Sequence, residues 1–459
     1  MGESKPISEQ IAELAVALRY EDLPEKVRQR AANLVLDLLG SMIGSKNVES
    51  SRIAAEVALE MGGPEESSVI GHGRKISAPN AAFANAIQGY AFDFADDHNE
   101  SNAHPSVATI PASLAVGEQL QASGKRVIEA IALGNEIVCR LGAAFLGKTY
   151  YQGFHPSSTC GTFGAAVSAA KLMKLDVQQT VHAQGIAGSQ VGGLMAWNTS
   201  GSCTKRLQAG HPAMVGIISA RMAQKGFDGP PEIIEGQDGF MQAYSYERQY
   251  DISLITDGLG EEWTFANSSI KVYPCCRYSG GHLDACLDVV ATYAPDWRKI
   301  QHVLVRSSDY TIKLLAMPRK RDPQNVVDAQ FSMPWQVAIA LIDGKIDADT
   351  FTDENIHRPD VRELMAKVDW VVDEEFERRY PEHYSCAVTV DMEDGAEYTS
   401  TVDDPKGDYR NPVTQEQLED KFRGLAGREL DEERVERLVA LVTHLHEVDD
   451  IGELFALTG

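Results

Sequence analysis

Three loops and one helix start hold the residues whose types and spacing suit chemistry on an acid. The first loop, DFADDHNESNAHPS, carries Asp93, Asp96, Asp97, His98 and His104. Carboxylates and imidazoles crowded into one loop admit three readings. One is a solvated acidic loop whose Asp side chains cap local turns. The second is a hard-metal site, since Asp and His ligate many metals, although the spacing fits no standard metal pattern. The third is a general acid–base centre in which imidazoles and a carboxylate tune one another. His155 lies in an aromatic-Gly-aromatic loop, YQGFHPSST, at the mouth of a helix of small residues. Ser157, Ser158 and Thr159 are good caps there, and free N–H groups with the helix dipole make such a start a natural anion site. His155 reads either as a satisfied structural histidine or as a residue placed for chemistry. Lys205-Arg206, in NTSGSCTKRLQAG, is a surface charge or an anion contact. Lys271 sits in the apolar-aromatic run SSIKVYPCCRY, where it either snorkels outward or is placed deliberately. Arg277 follows, and His282 lies beyond Gly280-Gly281. Arginine can grip a carboxylate bidentately and lysine acts as a point charge. His444 and His446 on the last helix read as structural.

Composition sets a condition on these residues. The formal net charge is −25 over 459 residues. Such a field argues against nucleic acid or an anionic membrane as partner. It also repels an anionic substrate, so a site for one must carry its own positive charge. Lys205, Lys271, Arg277 and the histidines His104, His155 and His282 are the candidates. Seven cysteines, none in CxxC spacing, suit reduced thiols in the cytosol. The N-terminus reads as an amphipathic helix with no basic n-region, so no signal peptide is expected, and no apolar run is long enough to span a bilayer. There is no G-x-S-x-G, Walker loop or H-E-x-x-H, and no glycine cluster follows a strand, so no dinucleotide cofactor is expected.

The elements that must position these residues are mostly helices. Helical spacing of apolar residues predicts two helices over 7–45, parted at Leu23-Pro24. Further helices are expected from Asn80 to about Phe92, from Pro111 to Gly124, over 126–146, from the Ser157 region, over 177–190, and from His211-Pro212. SVIGHG (68–73) is a short strand or a loop. The character changes near Asn267. Strands are expected over 302–314 and 368–372, and a hairpin over 386–402 turns at Asp394-Gly395, with helices at 281–294 and 330–343 between them. From Thr414 the chain returns to helix. The fold class is mainly α: an all-helical domain of 1–266 plus 404–459, with an α+β unit of 267–403 inserted as a lid.

These loops also resemble a known family. FDFADDH, AHPS, GFHPSSTCGTFGAAVSAAKLMKLD, TKRLQAG, GFDGP, IKVYPCCRYSGGHLDA, DAQFSMPWQVAIAL and DDPKGDYRNPV are similar to the MmgE/PrpD family, in order from about residue 8 to about 425. That family includes 2-methylcitrate dehydratase, cis-aconitate decarboxylase and iminodisuccinate epimerase. The resemblance implies a helical domain with an α+β lid, an active site between them, a homodimer, and no metal or organic cofactor. It implies Asp93, His104, His155, Lys205 and Lys271 as catalytic residues. Arg277, Ser157, His282, Trp335 and Asp97 are expected around the substrate. The chain departs from the family pattern in three places. Many members have Thr or Ser near Asp97, the lid helix often carries Tyr where Trp335 stands, and His282 comes later than the corresponding histidine. These departures bear on which reaction is run.

The family reactions share carbanion character next to a carboxylate, which needs a proton-transfer group at carbon and cations around the carboxylates. Lys205, Lys271 and Arg277 are expected to hold carboxylates. His104 and His155 are expected to move protons, His155 as acid at a leaving hydroxyl and Asp93 as orienting group or base. The leading expectation is a 2-methylcitrate dehydratase-like hydro-lyase acting on a small di- or tricarboxylic acid. The alternatives are a cis-aconitate-type decarboxylase and an iminodisuccinate-type epimerase. Outside the family stand a metal-dependent hydrolase built on Asp93, Asp96, His98 and His104, and a binding protein that has lost turnover, a reading only Trp335 favours.

Overall fold

Helical periodicity in the first half of the chain becomes a packed set of helices in the computed structural model, which describes residues 5–150 and 152–459. Tyr151, which opens the aromatic-Gly-aromatic loop, lies outside the described residues. The helices are α1 (Ile7–Ala17), α2 (Glu25–Gly44), α3 (Glu49–Met61), α4 (Ala78–Tyr90), α5 (Ser106–Gln119), α6 (Gly124–Ala144), α7 (Pro156–Leu172), α8 (Val177–Gly188) and a long helix Thr204–Gln224. Every residue of α7 except Lys171 is buried. Helices α5, α6, α8 and Thr204–Gln224 all pack against it. Small residues permit this. A Cβ on Gly164 would lie 2.5 Å from Val138 Cγ2 and 2.7 Å from the Gly134 carbonyl oxygen, so α6 and α7 meet nearly backbone to backbone.

Two helix starts differ from expectation. Pro111 lies inside α5 and Pro212 inside Thr204–Gln224. An interior proline loses one backbone hydrogen bond and costs roughly 3 kcal/mol. Burial of both helices against α7 outweighs that, and Pro212 packs over the Gly161 backbone. Gly124 opens α6 rather than ending the helix before it. The Leu445 carbonyl comes so close to its Cα that no side chain fits.

The segment 68–73 belongs to a small antiparallel pair, β1 (Ser67–Val69) and β2 (Arg74–Ile76). A four-stranded sheet forms later, in the order β4-β3-β5-β6. Here β3 (Ile300–Ser307) runs parallel to β4 (Val368–Val372) and antiparallel to β5 (Cys386–Met392), which forms the hairpin with β6 (Glu397–Val402). The strand expected to reach residue 314 stops at Ser307. Ser308 then caps a helix, Asp309–Leu315, by accepting from the Thr311 backbone N–H. Gly395 takes the left-handed conformation (φ 87°) that the hairpin turn requires.

Two large apolar cores result, beside a small one around Val69 and Ile76. One joins the helices up to Ile270 with Leu418, Phe422, Val435 and Leu438 from the C-terminal helices Gln415–Ala426 and Glu432–Thr443. The other joins the sheet to the helices Gly280–Tyr293 and Met333–Asp343, with Trp197 reaching into it from the helical part.

Candidate active site

The candidate residues meet where the two cores adjoin. Helix α4 ends at Tyr90, and three residues later Asp93 turns into the left-handed region (φ 55°), which Asp tolerates better than most residues. Its carboxylate is fully buried. Lys205, in the first turn of Thr204–Gln224, donates to Asp93 Oδ1 at 2.6 Å. Lys271 donates to the same oxygen at 3.1 Å, and to the Asp93 and Cys275 carbonyls at 3.0 Å each. Burial pushes the Asp93 carboxyl up, but Lys205 and Lys271 prevail and hold it well below the usual range. Lys205 also lies over the rings of Tyr90 (4.7 Å), Phe331 (4.8 Å) and Trp197 (5.2 Å). Burial lowers its pKa to about 8, with Asp93 opposing.

The two histidines are held in defined tautomers. His104 Nδ1 lies 2.6 Å from the Asp96 carbonyl oxygen, an acceptor, so it carries the proton and leaves Nε2 as a lone pair. His155 Nδ1 donates to Gln208 Oε1 at 2.8 Å. The amide of Gln208 is oriented by its own donation to the Leu194 carbonyl. His155 Nε2 is thus also a lone pair, 3.3 Å from Ser157 Oγ. Ser157 Oγ accepts from the His104 backbone N–H at 2.9 Å, so its proton is free to face His155. The two rings lie 6.2 Å apart, with Tyr90 beside both. Burial, then the Lys205 charge, lowers His155 to about 3. Burial with Lys271 and Lys205 takes His104 well below its ordinary value. Both imidazoles are neutral at pH 7 while the site is empty of substrate.

A narrow cavity of about 30 Å³ collects these groups. Asp97, His104, His155, Lys205 and Arg277 line it. Its other walls include Asn102, Tyr150, Trp197, Tyr278, Phe331 and Tyr384, drawn from both parts of the chain. A larger cleft of about 640 Å³ shares Asn102 and Tyr150 with it. Asp93 and Lys271 stand behind Lys205 rather than on the cavity wall. Arg277 reaches the cavity with its guanidinium engaged by Asp408, and Asp97 lies 3.5 Å from its Nε.

Two expected residues are not brought here. Trp335 is fully buried in the second core, its ring against Phe351, because its side of the Met333–Asp343 helix faces inward. Phe331, just before that helix, lines the cavity instead. His282 bonds Gln336 through Nε2 at 2.9 Å in the same core, and burial lowers it to about 4. Conversely, Gln208, Tyr150, Tyr278 and Tyr384 escaped the sequence reading. Their common signal is proximity to recognised segments, TKRLQAG for Gln208 and YPCCRYS for Tyr278.

The metal-hydrolase reading fails on geometry. Among the described residues no group of three or more His, Cys, Asp or Glu side chains converges to hold a metal ion. Asp93 is taken by lysines and Asp96 by Ser106, while His98 contacts Ser101 and the Thr264 carbonyl.

Fold and site together define a mainly helical protein with a buried cavity where two neutral imidazoles lie beside fixed cations. The MmgE/PrpD N-terminal domain model matches residues 9–253 and the MmgE/PrpD C-terminal domain model matches residues 273–447, and the chain belongs to the MmgE/PrpD family. It is similar over nearly its whole length to cis-aconitate decarboxylases. That of Aspergillus terreus is 28% identical over 98% of this chain and 95% of its own length. The Homo sapiens enzyme is 28% identical over 99% and 94%, and the Mus musculus enzyme 26% identical over 99% and 93%.

Proposed function

We propose that the chain is a cofactor-independent lyase acting on a small di- or tricarboxylic acid, through proton transfer at a carbon next to a carboxylate. The observation that carries this is the pair of imidazoles with Nε2 lone pairs on one small cavity beside Lys205 and Arg277. Full-length likeness to decarboxylases favours decarboxylation of a cis-aconitate-type acid. In that reaction the C–C bond to one carboxylate breaks and leaves its electron pair on carbon. CO₂ departs, and a proton is delivered to the carbanion. Lys205 stabilises the charge that develops on the neighbouring carboxylate. An entering carboxylate raises the pKa of the histidines, toward the protonated form that a proton donor needs. Lys271 and Asp93 hold Lys205 in place from behind.

The 2-methylcitrate dehydratase-like hydro-lyase is the second reading. The Asp97–Arg277 pair supports it, because that pair suits a hydroxyl better than a third carboxylate. Epimerisation uses the same proton transfer without elimination. Proton NMR in D₂O with cis-aconitate, 2-methylcitrate, citrate, malate, tartrate and iminodisuccinate separates these outcomes. Loss of CO₂ from cis-aconitate supports the first reading, and loss of water from a hydroxy acid the second. Neither reaction, together with no exchange at carbon, overturns both.

A homodimer, the lid role of 267–403 and a cytosolic location belong to the same proposal. The cysteines support the last of these: Cys139, Cys160, Cys203, Cys275, Cys276, Cys286 and Cys386 are all unpaired thiols. No described helix is long and apolar enough to cross a membrane.

A further inference from the structure

We infer that Asp97 determines substrate specificity: with Arg277 it receives a hydrogen-bond-donating substituent, a hydroxyl or an ammonium, at a position where a further carboxylate is disfavoured. This rests on the hydro-lyase form of the reading above, since a cis-aconitate-type acid carries no such substituent, and adds the kind of acid it selects.

Of the site's cations, Arg277 is the one with carboxylates of the protein in excess. Lys205 and Lys271 share Asp93. Arg277 is shared by Asp408 and Asp97. Arg206, the next buried cation, is turned to the Ala91 carbonyl and Gln330. An anionic group brought to Arg277 therefore competes with carboxylates in place, and Asp97 is the one on the cavity wall.

The backbone of Asp97 is pinned. Its backbone N–H donates to the Ser269 carbonyl at 3.0 Å, and its carbonyl accepts from the Ser269 N–H at 2.6 Å. Its carboxylate lies 3.5 Å from Arg277 Nε and 3.6 Å from His104 Nδ1, both beyond a well-formed hydrogen bond. Arg277 is equally fixed. Its Nη2 is held by Asp408, which Asn99 also braces at 3.0 Å, and its guanidinium lies 4.9 Å over the Tyr384 ring. The Arg277 Nε–H is buried and finds no hydrogen-bond partner among the described residues. A buried donor left unmet is costly, and a ligand that meets it gains specificity. An acceptor and a donor fixed side by side match a hydroxyl, which accepts from Nε–H and donates to Asp97. An ammonium pairs with Asp97 alone. A carboxylate there meets a like charge.

Isothermal titration of the full-length protein with succinate, malate, aspartate, tricarballylate and citrate tests this. The wild type is expected to bind malate or aspartate about tenfold more tightly than succinate, and citrate more tightly than tricarballylate. Asp97→Leu should bring these ratios to within about twofold, and Asp97→Asn should lose the aspartate preference while keeping that for malate. Should the Leu variant fail to melt cooperatively, the aspartate-to-malate ratio in Asp97→Asn decides. Equal binding across the series in the wild type, or ratios unchanged by substitution, overturns the role of Asp97 and leaves the lyase reading intact. No binding of any acid overturns both.

Discussion

At His155 the surroundings set the protonation state and Gln208 sets which nitrogen faces the cavity. A neutral imidazole fixed by one hydrogen bond offers a lone pair as a base. Replacing it with alanine is expected to lower kcat by about 10²- to 10⁴-fold, the usual weight of a positioned proton-transfer group. Near-normal turnover of the NMR-identified substrate would remove His155 from the mechanism. Lys205 has to be charged to hold a carboxylate, and burial brings it to about 8. The rate constant kcat/KM should therefore fall above pH of about 8, as the ammonium is lost in the free enzyme. Arginine stays charged throughout, so Lys205→Arg should lack this limb whatever its absolute rate. A flat wild-type profile to pH ~10 would contradict the assignment. Asp96 makes a prediction about stability. Burial, with Asp37 nearby, raises its carboxyl from 3.8 to about 8. Between those values the folded state holds a proton that the unfolded chain has released, so stability falls as pH rises from about 4 to about 8. Urea unfolding across that range should show the decline in wild type and a shallower one in Asp96→Asn.

At the scale of elements, the α6–α7 contact is the joint on which the site depends. Helix α7 carries His155 and Ser157 at its start, and its distance from α6 is set by Gly134 and Gly164. Gly164→Ala places a methyl against Val138 and the Gly134 carbonyl, and should cost about 1–3 kcal/mol by overpacking, read from the urea midpoint. An unchanged midpoint would mean that the helices part easily. The small-residue run in α7 was legible as a central helix from composition alone. The starts of α5 and of Thr204–Gln224 were not, because local rules place a proline at the beginning of a helix. Packing on α7 carried both helices past their prolines.

For the whole molecule, the charge of −25 surrounds a small cluster of buried cations. An anionic substrate approaches against the long-range field and is captured only at short range. Raising ionic strength from about 10 mM to about 150 mM screens the first effect more than the second. It should raise kcat/KM by roughly two- to tenfold, the reverse of an electrostatically steered enzyme. A fall with salt, measured with the same substrate, would show that the local cations dominate the approach.

By itself the sequence determined the helical class, the change of character near Asn267, and the segments that supply the candidate site. These follow from apolar periodicity and from residue types within short windows, which act over a few residues. The cavity's working arrangement was decided by tertiary structure. Asp93 meets Lys205 across 112 positions, and Arg277 meets Asp408 across 131. No local spacing encodes such pairings. Trp335 and Phe331 lie four residues apart around the start of one helix, both buried in the second core, and only the tertiary packing decided that Phe331 also lines the cavity. For the same reason Arg277, legible as a carboxylate grip, proved to be held by carboxylates of the protein's own.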